Sequence, residues 1–501
     1  MDLISHLGLG FATVMTAQNL MYSFFGVLLG TLIGVLPGLG PLVAIAVLLP
    51  FTFALDPVSS MIMLAGIFYG AQYGGSTTAI LINLPGEASS IVTTLDGHQM
   101  AKQGLAGKAL ATAAIASFFA GCVATVVIGL FAPPLAKLAF QFGPAEYFSL
   151  MVCGLIVSVV LASGSLLKAL AMMVLGLLLG IIGTDGQTGL QRFTFGINEL
   201  SDGLSVAAIA MGLFGLGEIM RNLETTKHGV LEVSKVTSLM PTRADMKAIF
   251  APMVRGTFLG SFLGVLPGGG ALLASFSAYA LEKKISSAPE TFGKGAIAGV
   301  AAPEAANNAG AQTSFIPMLT LGIPSNPVMA LMISALIIQG IEPGPAVITN
   351  HPELFWGIIA SMWVGNLMLL VLNLPLVGLW VKLVSIPYKY LFPIVIIFAC
   401  IGVYSMGNST VAVLTMAGFG MFGYILKKLE CEPAPMILGF ILGPMMEGHM
   451  QRALLIARGD ALVFLREPIS AGLLGLAAVA LALVVFPSFR KTRKIAMVED
   501  D

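Results

Sequence analysis

One string of twelve residues occurs twice, and that repetition constrains the chain more than any other feature. Leu29 to Gly40 reads L-G-T-L-I-G-V-L-P-G-L-G, and Leu259 to Gly270 reads L-G-S-F-L-G-V-L-P-G-G-G. Eight of the twelve positions are identical, at an offset of 230 residues. A weaker pair follows in the same order. Ile80 to Gly86 reads I-L-I-N-L-P-G, and Leu319 to Ser325 reads L-T-L-G-I-P-S, at an offset of 239. Two landmarks in one order indicate an internal duplication, with a period far too long for a solenoid. Apolar segments interrupted by Gly and Pro at corresponding places in two halves point to the binding site of a membrane transporter built from repeats.

Composition sets the solvent. The 501 residues are 57% hydrophobic and 10% charged, with a mean hydropathy of +0.94. Soluble domains carry about 25% charged residues. The apolar runs are long and lack the alternation of barrel strands, so the expectation is an all-α polytopic membrane protein of about 10–12 spans. Net charge is zero, which suggests no nucleic-acid partner. Cys122, Cys153, Cys400 and Cys431 are scattered, with no C-x-x-C spacing, so neither a disulfide framework nor a metal site is expected. The start, M-D-L-I-S-H-L-G, has no basic region or cleavage site of a signal peptide.

Along the chain, residues 3–18 read as a short or interfacial helix. Residues 20–36 and 41–55 are apolar runs split by Leu-Pro-Gly-Leu-Gly, each short for a span of roughly 20 residues. They form either a re-entrant hairpin, which we favour, or two short tilted spans. Residues 58–84 read as a discontinuous helix interrupted at Tyr73 to Thr78, ending at Leu84-Pro85-Gly86-Glu87, and 87–108 as a polar loop. Spans fit at 110–131, 146–163, 166–184 and 204–220, closing a first half over 1–220. A basic linker occupies 221–255. The second half, 256–487, repeats the plan with a hairpin, a discontinuous helix broken around Pro303 to Ser314, and spans near 354–378, 391–406, 410–426 and 469–487. The 433–466 region reads as either a span or an interfacial helix. A basic tail fills 488–501.

Basic residues orient the halves. The loop after the first hairpin, 50–60, has no Lys or Arg, whereas the loop after the first discontinuous helix has Lys102 and Lys108. The second half reverses this. Lys283, Lys284 and Lys294 follow its hairpin, and its later loop, 340–353, carries only Glu342 and Glu353 as charges. Under the positive-inside rule the repeats are inverted, with linker and tail cytoplasmic. Inverted repeats suit alternating access.

The candidate site lies at the recurring breaks. Pro and Gly end helices and free backbone N–H groups, which can receive an anion. The expected substrate ligands are Gly38, Gly40, Gly75, Ser76, Thr77 and Thr78 from the first half. From the second they are Gly268, Gly269, Gly270, Asn308, Gln312, Thr313 and Ser314. The bland alternative is close helix packing through small and hydroxyl residues. Asn83, Glu304, Asn307 and Ser325 are candidates for a coupling cation, against a capping or hinge role; intramembrane carboxylates often carry cations or protons. No catalytic triad, metal cluster or nucleotide loop is present, so neither an enzyme nor ATP-driven transport is expected.

With these strings in view, the chain resembles the large membrane subunit of the tripartite tricarboxylate transporters, the TctA type. The resemblance rests on G-V-L-P-G-L-G-P (Gly34 to Pro41), Y-G-G-S-T-T-A-I-L-I-N-L-P-G-E-A-S (Tyr73 to Ser89), T-L-D-G-H-Q-M-A-K-Q-G (Thr94 to Gly104) and the second L-G-V-L-P-G-G-G. It implies a bacterial inner-membrane uptake system for a di- or tricarboxylate, driven by a sodium or proton gradient. The implied partners are a small membrane subunit of the TctB type and a periplasmic solute-binding protein of the TctC type. Hairpins and discontinuous helices in inverted repeats suggest an elevator-like motion. The rivals are a membrane enzyme acting on a lipid-linked substrate, which needs an acid–base constellation not found here, and a passive channel.

Overall fold

The computed structural model describes residues 3–36, 39–162, 165–185, 188–225, 241–267, 270–384 and 388–485. Part of the linker (226–240), the tail from 486 onward, and Gly38, Gly268 and Gly269 of the candidate site lie outside the described residues. The chain forms two compact units that cut across the sequence halves: 1–137 with 205–427, and 138–204 with 428–501.

The first unit begins with α1 (Leu3–Val14), α2 (Ala17–Gly34), α3 (Pro41–Thr52), α4 (Pro57–Ile82), α5 (Ile91–Met100) and most of α6 (Ala106–Ala139). After α7 (Pro144–Leu161) and α8 (Leu166–Gly180) of the second unit, it resumes with α9 (Val206–Ala210), α10 (Gly217–Thr225) and α11 (Arg243–Gly264). Then come α12 (Gly270–Ile285), α13 (Ala298–Thr313), α14 (Phe315–Leu321) and α15 (Pro327–Ile338). It closes with α16 (Ala346–Asn350), α17 (Pro352–Asn373), α18 (Val377–Val384), α19 (Tyr388–Gly407) and α20 (Thr410–Lys428). Among the described residues, five helical stretches are long and apolar enough to cross a membrane: 17–34, 88–139, 144–161, 352–373 and 410–428.

Glycine spacing explains the central packing. A Cβ on Gly26, Gly30 or Gly34 of α2 would run into the carbonyl oxygen of Met63, Ile67 or Ala71 on α4. In the second half a Cβ on Gly256, Gly260 or Gly264 of α11 would run into the carbonyl oxygen of Ala302, Ala306 or Gly310 on α13. The offsets are again 230 for the glycines and 239 for the carbonyls. Helices that meet this closely through small residues gain dispersion contacts that lipid cannot supply.

The discontinuous helices are corrected. Helix α4 runs unbroken through Tyr73–Thr78. Its glycines serve close approach instead of unwinding: Gly74 packs on the Thr31–Val35 backbone of α2, and the Gly86 N–H reaches the Gly75 carbonyl at 3.4 Å. Helix α13 likewise carries Pro303 in its interior and yields only at Ser314, which keeps helical dihedrals (φ −62°, ψ −19°) before α14. The true breaks lie downstream and correspond. Helix α4 ends on Asn83 in the left-handed region (φ 58°), and α14 ends on Gly322 (φ 69°). A proline follows two residues later in each, Pro85 and Pro324. Glu87 then heads the 3₁₀ turn Ala88–Ser90, and Asn326 caps α15 by accepting the Met329 N–H at 3.0 Å.

Contacts between halves pair particular loops. The Gln103 amide donates to the Lys294 carbonyl at 2.8 Å, and Lys108 pairs with Asp245 at 3.1 Å. At other loops, Gln339 Nε2 donates to the carbonyls of Phe53 (3.4 Å) and Leu55 (3.2 Å).

The second unit packs α7 and α8 with α21 (Ala434–Ile456), α22 (Val463–Arg466) and α23 (Pro468–Val485). Gly176 and Gly439 again allow backbone contact, now between α8 and α21. The 433–466 region therefore contains one long helix whose first half is buried. Gly183–Thr184 pairs antiparallel with Gln191–Arg192, and Arg192 holds Glu447 through Nη1 at 2.8 and 3.0 Å.

Candidate functional site

The site grows from the first break. After Asn83 the chain turns back along α4, and Gly86 comes so close to Gly75 that a Cβ on Gly86 would lie 2.4 Å from the Gly75 Cα. This sets Glu87 beside the head of α3. A Cβ at Gly40 would lie 3.3 Å from the Gly86 carbonyl oxygen and 3.5 Å from Glu87 Cβ. The second half repeats the relation more loosely, since a Cβ at Gly270 would lie 4.0 Å from Asn326 Nδ2.

Two carboxylates enter this region. Glu304, fully buried on α13, accepts hydrogen bonds from Ser76 Oγ of α4 at 2.8 Å, Ser117 Oγ of α6 at 3.3 Å and Thr93 Oγ1 of α5. Asn308 Nδ2, one turn on, donates to Ser117 Oγ at 2.7 Å. Glu87 accepts from Ser89 Oγ at 2.5 Å and Asn307 Nδ2 at 3.0 Å. The Gln72 amide, with its nitrogen turned inward, donates to both Glu87 oxygens. Every one of these donors is neutral, and none of the ion pairs among the described residues involves Glu87 or Glu304. A buried carboxylate without a counter-charge costs several kcal/mol after relaxation. Hydroxyl and amide donors offset part of that; a bound proton or cation removes the rest.

A narrow crevice opens on the Ser76–Ser117 side of Glu304. Tyr73, Ser76, Thr77, Ser117 and Asn373 supply its polar wall, and Leu110, Ala113 and Val377 part of its apolar wall. Its free volume of about 20 Å³ holds roughly one water. A carboxylate metabolite does not fit in this conformation.

Of the expected ligands, Gly40, Gly75, Ser76, Glu304, Asn307 and Asn308 converge on this cluster, and Thr77 lines the crevice. Gln312 Oε1 accepts from Thr125 Oγ1 at 2.9 Å. Other hydroxyls are spent on nearby backbone. Thr78 donates to the Gly75 carbonyl (3.0 Å), Thr313 to Ala309 (2.9 Å), Ser314 to Ala311 (2.5 Å) and Ser325 to Ser314 (3.5 Å). Asn83 is exposed and ends its helix. Gly270 opens α12 with free space around it. Sequence reasoning missed Gln72, Tyr73, Glu87, Ser89, Thr93, Ser117 and Asn373. Gln72 and Glu87 flank the first break, which was a usable signal; Ser117 and Asn373 sit in plain apolar runs with none.

A second buried carboxylate braces the site. Asp96 Oδ1 accepts the backbone N–H groups of Gly293 (2.9 Å), Gly295 (2.7 Å) and Ala296 (2.7 Å), and Oδ2 accepts from Tyr279 Oη at 2.9 Å. Gly293 (φ 82°) and Gly295 (φ 106°) bend the loop so that successive N–H groups converge on one oxygen. Helix α5, which carries Thr93, is thereby tied to the segment leading into α13, which carries Glu304.

Comparison with known proteins identifies relatives of the chain. An uncharacterized 52.8 kDa protein in the TAR-I ttuC′ 3′ region of Agrobacterium vitis is 58% identical over 501 residues, covering 100% of both chains. An uncharacterized protein in the TAR-II ttuC′ 3′ region of the same organism is 60% identical over 242 residues, 48% of this chain and 100% of that one. No solved structure matches. The family model of the tripartite tricarboxylate transporter TctA family matches residues 20–438, and the chain belongs to that family: it is a multi-pass membrane component of a transporter and not an enzyme.

Proposed function

We propose that this chain is the permease subunit of a secondary uptake system for a di- or tricarboxylate. In this reading it resides in the bacterial inner membrane with its tail cytoplasmic, beside a small TctB-type subunit. A TctC-type periplasmic binding protein delivers the substrate, and an ion gradient drives symport. The observation that carries the reading is a pair of carboxylates, Glu304 fully buried and Glu87 partly buried, held only by neutral donors beside the first of two equivalent helix breaks. Such a pair binds a proton or cation as it crosses the membrane. The anionic substrate meets N–H groups at the tips near Gly40 and Gly270.

Two inverted repeats, 1–220 and 256–487, moving in an elevator-like manner, complete the reading. The loop contacts support it. Gln103–Lys294 joins the basic loops of both halves, Lys108–Asp245 joins the first of them to the linker end of α11, and Gln339 joins the two loops without Lys or Arg. One face of the membrane thus receives each set.

The test is uptake by proteoliposomes holding this chain and its small partner, with binding protein added or withheld and sodium and proton gradients varied separately. Carboxylate accumulation should require the binding protein and stop when one gradient is dissipated. Robust uptake by the chain alone, or uptake indifferent to both gradients, would overturn the proposal.

A further inference from the structure

Two residues that line the crevice beside Glu304 each carry a buried polar atom that no packing argument explains. Tyr73 is 4% exposed and Asn373 7% exposed, yet Tyr73 Oη and Asn373 Oδ1 have no hydrogen-bond partner among the described residues. Buried polar atoms are nearly always paired, and one left unpaired costs about 1–3 kcal/mol. The orientation of Asn373 is set, because its Nδ2 donates to the Leu369 carbonyl at 2.9 Å. Its oxygen is therefore a committed acceptor.

The remaining polar wall is also oxygen. Ser76 and Ser117 direct their hydroxyl protons to Glu304, and Thr77 directs its proton to the Tyr73 carbonyl at 3.4 Å, so lone pairs remain. A negative charge stands directly behind two of these oxygens. We propose that the crevice is a monovalent cation site of the sodium class, with Tyr73, Ser76, Thr77, Ser117 and Asn373 as oxygen ligands and Glu304 as the neutralising charge.

The chemistry narrows the occupant. An oxygen-only set suits a hard cation, and one nearby carboxylate balances one positive charge; a divalent ion draws more carboxylates and more ligands. An anion would face lone pairs and Glu304. The space of about 20 Å³ takes an ion only without its shell, and a set of five oxygens suits sodium, because the larger potassium ion draws a larger shell. Calling the ion a coupling ion rests on the transport reading above; the site itself does not.

The test uses the purified full-length chain in detergent and needs no transport. Thermal unfolding is followed in sodium, potassium and choline chloride at equal ionic strength. At a hundredfold excess over Kd, sodium should raise Tm by about 2–3 °C, potassium less and choline not at all. Tyr73→Phe and Asn373→Leu should each need at least tenfold more sodium for the same rise. Ser334→Ala, whose hydroxyl serves its own helix, should respond as the parent does. Equal responses to all three salts would mean that a water fills the crevice, and would overturn the site. So would an unchanged sodium response in Tyr73→Phe, the variant least able to disturb folding. Proton-driven uptake without a sodium-specific shift sinks this inference and leaves the transport reading standing. A sodium-specific shift in a chain that imports no carboxylate does the reverse.

Discussion

Replacing Asp96 tests whether the brace between α5 and the loop before α13 holds the site together. Asp96 is fully buried and accepts four hydrogen bonds, three from backbone N–H groups and one from Tyr279. Asp96→Ala leaves those N–H groups facing a void. At about 1 kcal/mol each as a minimum, the loss is roughly 3 kcal/mol. Asp96→Asn keeps one acceptor oxygen and loses the charge, which accounts for about half the strength of such bonds, so roughly 2 kcal/mol is expected. An unfolding entropy of about 2.1 cal/mol/K per residue, spread over a chain of this size, converts these to Tm falls of about 3 °C and 2 °C. Asp96→Glu offers no rescue, because Asp96 Oδ2 already sits where a Cβ on Gly299 would be. The assay is thermal unfolding of the purified chain, paired with maleimide labelling of Lys294→Cys in a background lacking the four native cysteines. Labelling should quicken in the order parent, Asp96→Asn, Asp96→Ala. An Asp96→Ala variant that melts with the parent and labels at the parent's rate would refute the brace.

Glu304→Gln should fold, since its hydroxyl donors can rotate, yet lose gradient-driven uptake by at least tenfold in the proteoliposome assay; normal coupled uptake would remove Glu304 from the ion path. Thr313→Val should transport within about twofold of the parent, because that hydroxyl bonds its own helix at 2.9 Å; a tenfold loss would return Thr313 to the site. Gly260→Leu should abolish assembly, because its Cβ meets the Ala306 carbonyl, whereas Gly472→Ala on an exposed face, with open space around it, should change stability by no more than about 1 kcal/mol; yields from membrane extracts distinguish the two. Cysteines placed at 283 and 345 in turn should label from the cytoplasmic and periplasmic sides respectively, and the reverse pattern would sink the inverted orientation.

Much of the fold was legible because its signals are local. Repeated strings, apolar runs and Leu-Pro-Gly breaks are properties of adjacent residues, and they located the duplication, the helix pairs α2–α3 and α11–α12, and the end of α4. The reading failed where one local signal has two physical uses. Gly74-Gly75 looks the same whether it unwinds a helix or admits a neighbouring backbone, and only the presence of α2 and Gly86 decides for the second. Hydroxyls show the same ambiguity. Ser76 and Thr313 read alike, yet one reaches across to another helix and the other bonds its own.

The sequence by itself therefore determined the class, the internal repetition and the family, because helix period, apolarity and chain reversal are encoded over a few turns. Tertiary structure alone decided which polar groups gather around Glu304. The partners of Glu304 stand 228, 211 and 187 residues away in the chain. They meet because glycine-lined helices bring three distant segments within hydrogen-bond reach, and no spacing along the chain records that approach.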